Sequence, residues 1–110
     1  MPITSTDAFL IRQMLTDQTT SDNGVWINVR NLKTFSIHAL TFSGSDAVQI
    51  RVSCEPTIPS NSTHAVQLGS TITADRIVSS ANNRFRWMKV RKSVGGGSAT
   101  NVFLFGELGE

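Results

Sequence analysis

The sequence predicts an all-β protein, an antiparallel β-sandwich of jelly-roll-like type with an extended N-terminal arm. Apolar and polar residues alternate with a period of two in several short segments, as they do in strands with one buried face. Turn-forming clusters separate these segments at intervals of about 8–12 residues. The 110 residues suit one domain. We expect residues 1–15 to form the arm and residues 16–110 to form the sandwich.

The N-terminal arm is the least regular segment. Residues 9–15 contain i,i+4 apolar spacings and Thr6 is placed to cap a helix, but the segment is short for a helix. We interpret it as an extended arm or an edge strand. We expect residues 1–15 to lie outside the sandwich and to reach a neighbouring subunit. The side chains expected to bury apolar surface there are Phe9, Leu10, Ile11 and Met14.

Several later segments have the alternation of strands, and together they predict six to eight strands. The inward residues are Val25, Ile27 and Val29 in one segment and Val48, Ile50, Val52 and Cys54 in another. Residues 34–42 carry apolar side chains on both faces, so this segment is either bulged or covered on both sides. Shorter strands are expected at residues 66–68 and 72–78. The predicted core comprises Ile27, Val29, Ile50, Val52 and Leu104.

The segment RFRWMKVRK, residues 84–92, is an unusual strand, because it holds five of the ten Lys and Arg residues. Two interpretations are open. A bulge near Trp87 could turn all its apolar side chains inward. Alternatively, Met88 and Val90 face the core and Trp87 lies outside among cations. We favour the second, since Trp, Arg and Lys on one face suit a protein-docking surface. That surface would comprise Arg86, Trp87, Lys89 and Arg91.

The last apolar segment, residues 102–105, has apolar side chains on both faces. Phe103 and Phe105 face away from Val102 and Leu104, so one pair is expected to lie outside the core. An exposed apolar pair of this kind marks an interface. We therefore expect Phe103 and Phe105 to contribute to a homo-oligomer, a dimer or a trimer.

Composition and charge argue against nucleic acid and membranes as partners. The net charge is only +2, and no further aromatic residues reinforce a stacking platform around Trp87. No apolar run approaches the roughly 20 residues that span a bilayer.

No catalytic or metal site is predicted, and no cofactor. His38 and His64 are the only imidazoles, and no nucleophile-elbow pattern accompanies them. Cys54 is the only cysteine, so no internal disulfide can form and no metal-ligand pair exists at short spacing; we expect it to be buried. The run Gly95-Gly96-Gly97 lacks the Lys-Ser/Thr ending of a phosphate loop, and we expect a hairpin connection. We expect the protein not to be an enzyme.

Five segments follow one another in an order that carries a family likeness. They are GVWINVRNLKTFS at 24–36, VQIRVS at 48–53, VQLG at 66–69, RFRWMKVR at 84–91 and VFLFG at 102–106. This ordered set resembles the small β-sandwich virion proteins of tailed bacteriophages. That family includes head decoration, or cement, proteins, which clamp neighbouring capsid subunits. The likeness implies no catalytic residues.

The resemblance implies a structural virion protein, most specifically a capsid decoration protein that binds and stabilises the shell of the phage major capsid protein. Such a protein would be made in the host cytoplasm, without a signal peptide, and would lie on the capsid surface. The alternative is a carbohydrate- or receptor-binding β-sandwich module. The alternative is weaker because the chain has no tyrosine and few aromatic candidates beyond Trp26 and Trp87.

Overall fold

The computed structural model describes residues 9–42, 45–59 and 65–109, and within these ranges it contains eight β-strands and no helix. The strands are β1 (Phe9–Gln18), β2 (Ile27–Asn28), β3 (Leu32–Leu40), β4 (Ala47–Ser53), β5 (Val66–Gln67), β6 (Arg76–Ser80), β7 (Trp87–Val94) and β8 (Thr100–Leu108). The predicted strand content is confirmed. The described residues accordingly provide no helical segment that could span a membrane.

The strands form two four-stranded antiparallel sheets, in the orders β1-β8-β3-β6 and β2-β7-β4-β5. The pairs β1–β8, β2–β7, β3–β6 and β4–β5 are each hydrogen-bonded neighbours. The chain is therefore a long antiparallel hairpin rolled up into two layers, which is the jelly-roll arrangement. The predicted β-sandwich is confirmed.

The core lies between the two sheets and consists of the inward rows of their strands. All five predicted core residues are buried: Ile27, Val29, Ile50, Val52 and Leu104. Burial of each such side chain contributes roughly 1.5–3 kcal/mol to folding. The other large core side chains are Phe35, Ile37, Ile72, Met88, Val90 and Val102. Strict alternation explains these rows, because a side chain two residues along a strand returns to the same face.

The N-terminal segment confirms the edge-strand interpretation and not the extended arm. Residues 9–18 form β1, an edge strand on β8 that crosses the predicted boundary after residue 15. A register shift between Gln13 and Leu15 brings Met14 and Leu15 onto the core, where Leu15 is buried. The prediction that residues 9–15 lie outside the sandwich is wrong, because their apolar side chains extend the core. Residues 1–8 lie outside the described residues.

Three further local predictions are wrong. Val25 is exposed because β2 begins only at Ile27. Cys54 is exposed because it follows the end of β4, and its Sγ donates a hydrogen bond to the Arg84 carbonyl oxygen at 3.2 Å. The strand expected at residues 72–78 begins only at residue 76, while Ile72 makes an isolated bridge to Val48.

The glycine run joins β7 to β8, which lie in different sheets, so the expected hairpin is instead a crossover. A Cβ atom on Gly95 would lie 2.7 Å from backbone atoms of Thr20, and one on Gly96 would lie 2.8 Å from the Asp46 nitrogen. Only glycine allows such close backbone approach. The run is therefore required for packing rather than serving as a flexible spacer.

A buried ion pair lies beside this crossover. Lys92 follows Met88 and Val90 on the inward face of β7, and its Nζ lies 3.1 Å from Asp46 Oδ1, with both side chains 0% exposed. Lys92 Nζ also donates to Thr100 Oγ1 at 2.9 Å and to the carbonyl oxygens of Ser98 and Gln18. Asp46 Oδ1 accepts a hydrogen bond from the Gly96 nitrogen at 2.5 Å. The pair thus connects the end of β1, the start of β4 and both strands that flank the crossover.

Removal of one partner should be strongly destabilising, because the other charge would stay buried without a counterion. We expect Lys92→Met to lower the free energy of unfolding by about 3–5 kcal/mol. The matched control is Lys33→Met, at an exposed lysine on β3, for which we expect a change within about 0.5 kcal/mol. Urea denaturation of the two variants measures both values. If both variants changed the free energy of unfolding equally, the pair between Lys92 and Asp46 would stabilise the fold no more than an exposed lysine does.

Candidate docking surface

The outward row of β7 carries two of the basic residues that the sequence singled out, Lys89 and Arg91, whereas Arg86 lies just before the strand. Met88 and Val90 are buried, whereas Trp87 is half-buried on the outer side of the sheet. This confirms the second of the two interpretations of the strand. Phe85 precedes β7 and packs partly against the core, with its ring centroid 6.5 Å from that of Phe35. It turns inward without a bulge because it lies outside the strand.

The neighbouring strand β4 adds a third cation to this surface. The antiparallel register places Arg51 opposite Lys89 and Gln49 opposite Arg91. Side chains directly opposite each other on one face lie about 4.5–5.5 Å apart at Cβ. The outward positions of the two strands are Gln49, Arg51, Ser53, Trp87, Lys89, Arg91 and Ser93, and none is a carboxylate. We call Arg51, Lys89 and Arg91, together with Trp26 and Trp87, the basic face.

Lys89 lies at the centre of the basic face and is only 6% exposed. Its Nζ lies 4.9 Å from the centroid of the Trp26 ring, a cation–π contact. Burial lowers the pKa of Lys89 below its ordinary value, and the adjacent charges of Arg91 and Arg51 lower it further. The Arg51 Nε atom is buried and makes no hydrogen bond within the described part of the chain. An approaching carboxylate would therefore meet cations that are already partly desolvated.

Trp87 and one residue outside the basic face, Arg86, hold the adjoining loop in place. Trp87 Nε1 donates to the Glu55 carbonyl oxygen at 3.1 Å, and Arg86 Nη1 donates to the Pro56 carbonyl oxygen at 3.3 Å. These bonds hold the loop after β4 against the end of β7. An open, mainly apolar pocket of about 450 Å³ lies beside this loop. Its lining residues are Val52, Ser53, Cys54, Glu55, Val66 and Phe85.

The other predicted interface residues lie on the opposite sheet. Ile11, Phe103 and Phe105 are 72%, 36% and 44% exposed on the outer side of the β1-β8-β3-β6 sheet, as is Ile77 on β6 at 60%. We call these four residues the apolar face. The expectation that one pair from residues 102–105 lies outside the core is confirmed for Phe103 and Phe105.

Two residues of the predicted N-terminal interface, Leu10 and Met14, do not join either face. Leu10 and Met14 pack partly against the core, because β1 belongs to the sandwich, so their predicted position outside the sandwich is wrong. Their contact with a neighbouring subunit stays a prediction. Phe9 enters β1 through its backbone, and the role predicted for its side chain lies outside what the structure describes.

The side chains that the sequence analysis considered for chemistry do not come together within the described residues. His38 is exposed on the outer side of the β1-β8-β3-β6 sheet, away from Cys54 and the basic face. No cluster of three or more His, Cys, Asp or Glu residues in the described ranges could hold a metal ion. His64 lies outside the described residues.

Two members of the basic face were not predicted as site residues. Alternation had placed Arg51 and Trp26 on outward positions, which was the available signal. Their contact with Lys89 depends on strand register and on the approach of the chain before β2, and neither follows from a local pattern.

Comparisons with known proteins agree with this fold. No family model and no curated protein matches the chain. The crystal structure of SPBc2 prophage-derived protein YomS matches with a TM-score of 0.68 and 12% identity, over 89% of this chain and 91% of that one. A structure of Bacillus endospore appendages, described as a novel family of disulfide-linked pili, matches with a TM-score of 0.43 and 8% identity, over 94% and 90% of the two chains. The first match shows a shared fold, and the second is too weak to support an argument.

The lowered pKa of Lys89 predicts a pH dependence of stability. Between the folded-state pKa and the ordinary value of 10.5, the unfolded chain binds more protons than the folded chain, so stability rises with pH. We expect the unfolding free energy of the parent to rise relative to that of Lys89→Met between about pH 7 and about pH 10. Denaturant titrations at each pH measure this difference. If the unfolding free energy of the parent relative to that of Lys89→Met stayed constant or fell as the pH rose, the burial of a charged Lys89 would be contradicted.

Proposed function

We propose that the protein is a structural virion protein, specifically a capsid decoration protein whose basic face binds an acidic surface of the phage major capsid protein. The observation that carries this proposal is the crowding of Arg51, Lys89 and Arg91 on one sheet face whose outward positions hold no carboxylate. Like charges in such proximity repel each other, and a carboxylate supplied by a partner would relieve that repulsion. The electrostatic free energy of the basic face is therefore higher in the isolated protein than in a complex with an acidic partner.

The aromatic residues of the basic face support a protein partner over single-stranded nucleic acid or a glycan. Both of the latter bind to open aromatic rings on which bases or sugars stack. The Trp26 ring already carries the Lys89 ammonium group, and the half-buried Trp87 uses its indole nitrogen to hold the Glu55 carbonyl oxygen. Trp87 thereby presents a fixed edge beside the apolar pocket, which suits an anchor for a partner side chain.

The sequence resemblance and the comparison of folds both support a role in a virus particle. The ordered segments of the sequence resemble phage virion proteins, and a prophage-derived protein shares the jelly-roll fold. Fold alone does not determine function, so the proposal depends on the basic face. A decoration protein needs a flat surface with several weak contacts rather than a deep site, because many copies on one particle supply avidity. On this proposal the protein is made in the host cytoplasm and lies on the capsid surface, where it has no catalytic activity.

Binding of the purified protein to undecorated capsids tests the proposal. We expect Arg91→Glu to lower the affinity at least about tenfold, since it turns an attraction into a repulsion. The charge-matched control is Arg76→Glu, at an exposed arginine on β6 in the other sheet, which should bind like the parent. We also expect the parent to bind more weakly in about 500 mM salt than in about 50 mM salt.

Two results would overturn the proposal. One is equal capsid occupancy for Arg91→Glu, Arg76→Glu and the parent. The other is an absence of capsid binding by the parent together with specific binding to glycans, which would favour the carbohydrate-binding alternative.

A further inference from the structure

The outer side of the β1-β8-β3-β6 sheet carries the apolar face, whereas the basic face lies on the other sheet. We propose that the apolar face pairs with the same face of a second copy of this chain, giving a two-fold symmetric dimer. This inference does not depend on the identity of the capsid partner, because it concerns the isolated protein and the opposite side of the sandwich.

Strand register gathers the four residues of the apolar face into two adjacent rows. One row runs Ile11, Phe105, Ser36 and Ser79 across β1, β8, β3 and β6, and the next runs Gln13, Phe103, His38 and Ile77. Phe103 and Phe105 are two residues apart on the same strand, so their side chains stand side by side. The result is a patch with aromatic residues at its centre and an isoleucine at either side.

The charges on these two rows suit a second copy as the partner. The eight positions hold no Lys, Arg, Asp or Glu. A two-fold axis places a surface against itself, so a charged face would oppose like charges while an uncharged face does not. The basic face could not pair in this way. Of the two outer surfaces of the sandwich, only the apolar face is compatible with self-association.

Five polar side chains in and around the patch are already hydrogen-bonded to one another. The hydroxyl oxygens of Ser36 and Ser79 lie 3.1 Å apart. Gln13 Nε2 donates to Asn101 Oδ1 at 2.9 Å, and Asn101 Nδ2 donates to Asp17 Oδ1 at 3.1 Å. Covering a polar group costs free energy mainly when it loses its hydrogen bond with water and gains none. These groups keep their partners, so the sheet can be covered by an apolar surface at lower cost.

The size of the face sets the expected strength. Four strands about 4.8 Å apart, three of them about nine or ten residues long at about 3.4 Å each and β6 with five, give the whole outer side of this sheet a flat area of at most about 600 Å². That is somewhat below the roughly 800 Å² per partner of a typical stable interface. We therefore expect a reversible dimer with a dissociation constant in the micromolar range, about 1–100 µM.

Sedimentation equilibrium of the isolated protein over about 1–300 µM tests this proposal. We expect Ile11→Lys to weaken dimerisation at least tenfold, because each copy would bury an ammonium group at the interface. The matched control is Val25→Lys: Val25 is 71% exposed against 72% for Ile11, but it lies outside the apolar face. Val25→Lys should dimerise like the parent. Phe105→Ser, which adds no charge, should also weaken the dimer, and circular dichroism confirms that each variant is folded.

Two outcomes would overturn the dimer. One is a parent protein that stays monomeric at about 300 µM. The other is a parent dimer that neither Ile11→Lys nor Phe105→Ser weakens, which would place the contact on another surface. Arg91→Glu should dimerise normally, since it changes only the basic face. Failure of the dimer and failure of capsid docking can therefore be distinguished.

Discussion

The closure of the sandwich depends on the buried ion pair between Lys92 and Asp46. A lysine at an inward position of the central strand of a small core would be costly without full compensation. Here the ammonium group has the Asp46 carboxylate, two carbonyl oxygens and the Thr100 hydroxyl as partners. These partners come from the end of β1, the start of β4 and the segment that crosses between the sheets. The geometry of the pair thus specifies how three distant parts of the chain meet.

The two outer faces of the sandwich follow from the same alternation that builds its core. In β7 the residues between Met88, Val90 and Lys92 must point outward, and they are cationic. In β8 the residues between Val102, Leu104 and Gly106 must also point outward, and they are phenylalanines. Each sheet therefore presents a different chemistry to its surroundings. A protein with a charged face and an uncharged apolar face on opposite sides can contact two different surfaces at once.

Local patterns predicted most of the core and the outward rows of β7 and β8. Ile27, Val29, Ile50, Val52 and Leu104 are buried as alternation required, and the outward placement of Phe103 and Phe105 followed from the same rule. The errors lie at the ends of strands. Val25 and Cys54 each continue an alternating row one step beyond the point where hydrogen bonding to the neighbouring strand stops. Alternation in the sequence does not show where the ladder ends, because that depends on the length of the partner strand.

The sequence by itself determined that the chain is built of strands with one inward row each, that Ile27, Val29, Ile50, Val52 and Leu104 belong to the core, and that a basic strand and an apolar strand have outward rows. Periodicity suffices for these conclusions, because the face of each side chain follows from its own position in a strand. Only the tertiary structure decided that residues 9–18 are an edge strand, that Arg51 and Trp26 join Lys89, and that Lys92 is neutralised by Asp46. Each of these contacts joins residues distant in sequence, so it depends on register and on the meeting of separate segments, which no local pattern contains.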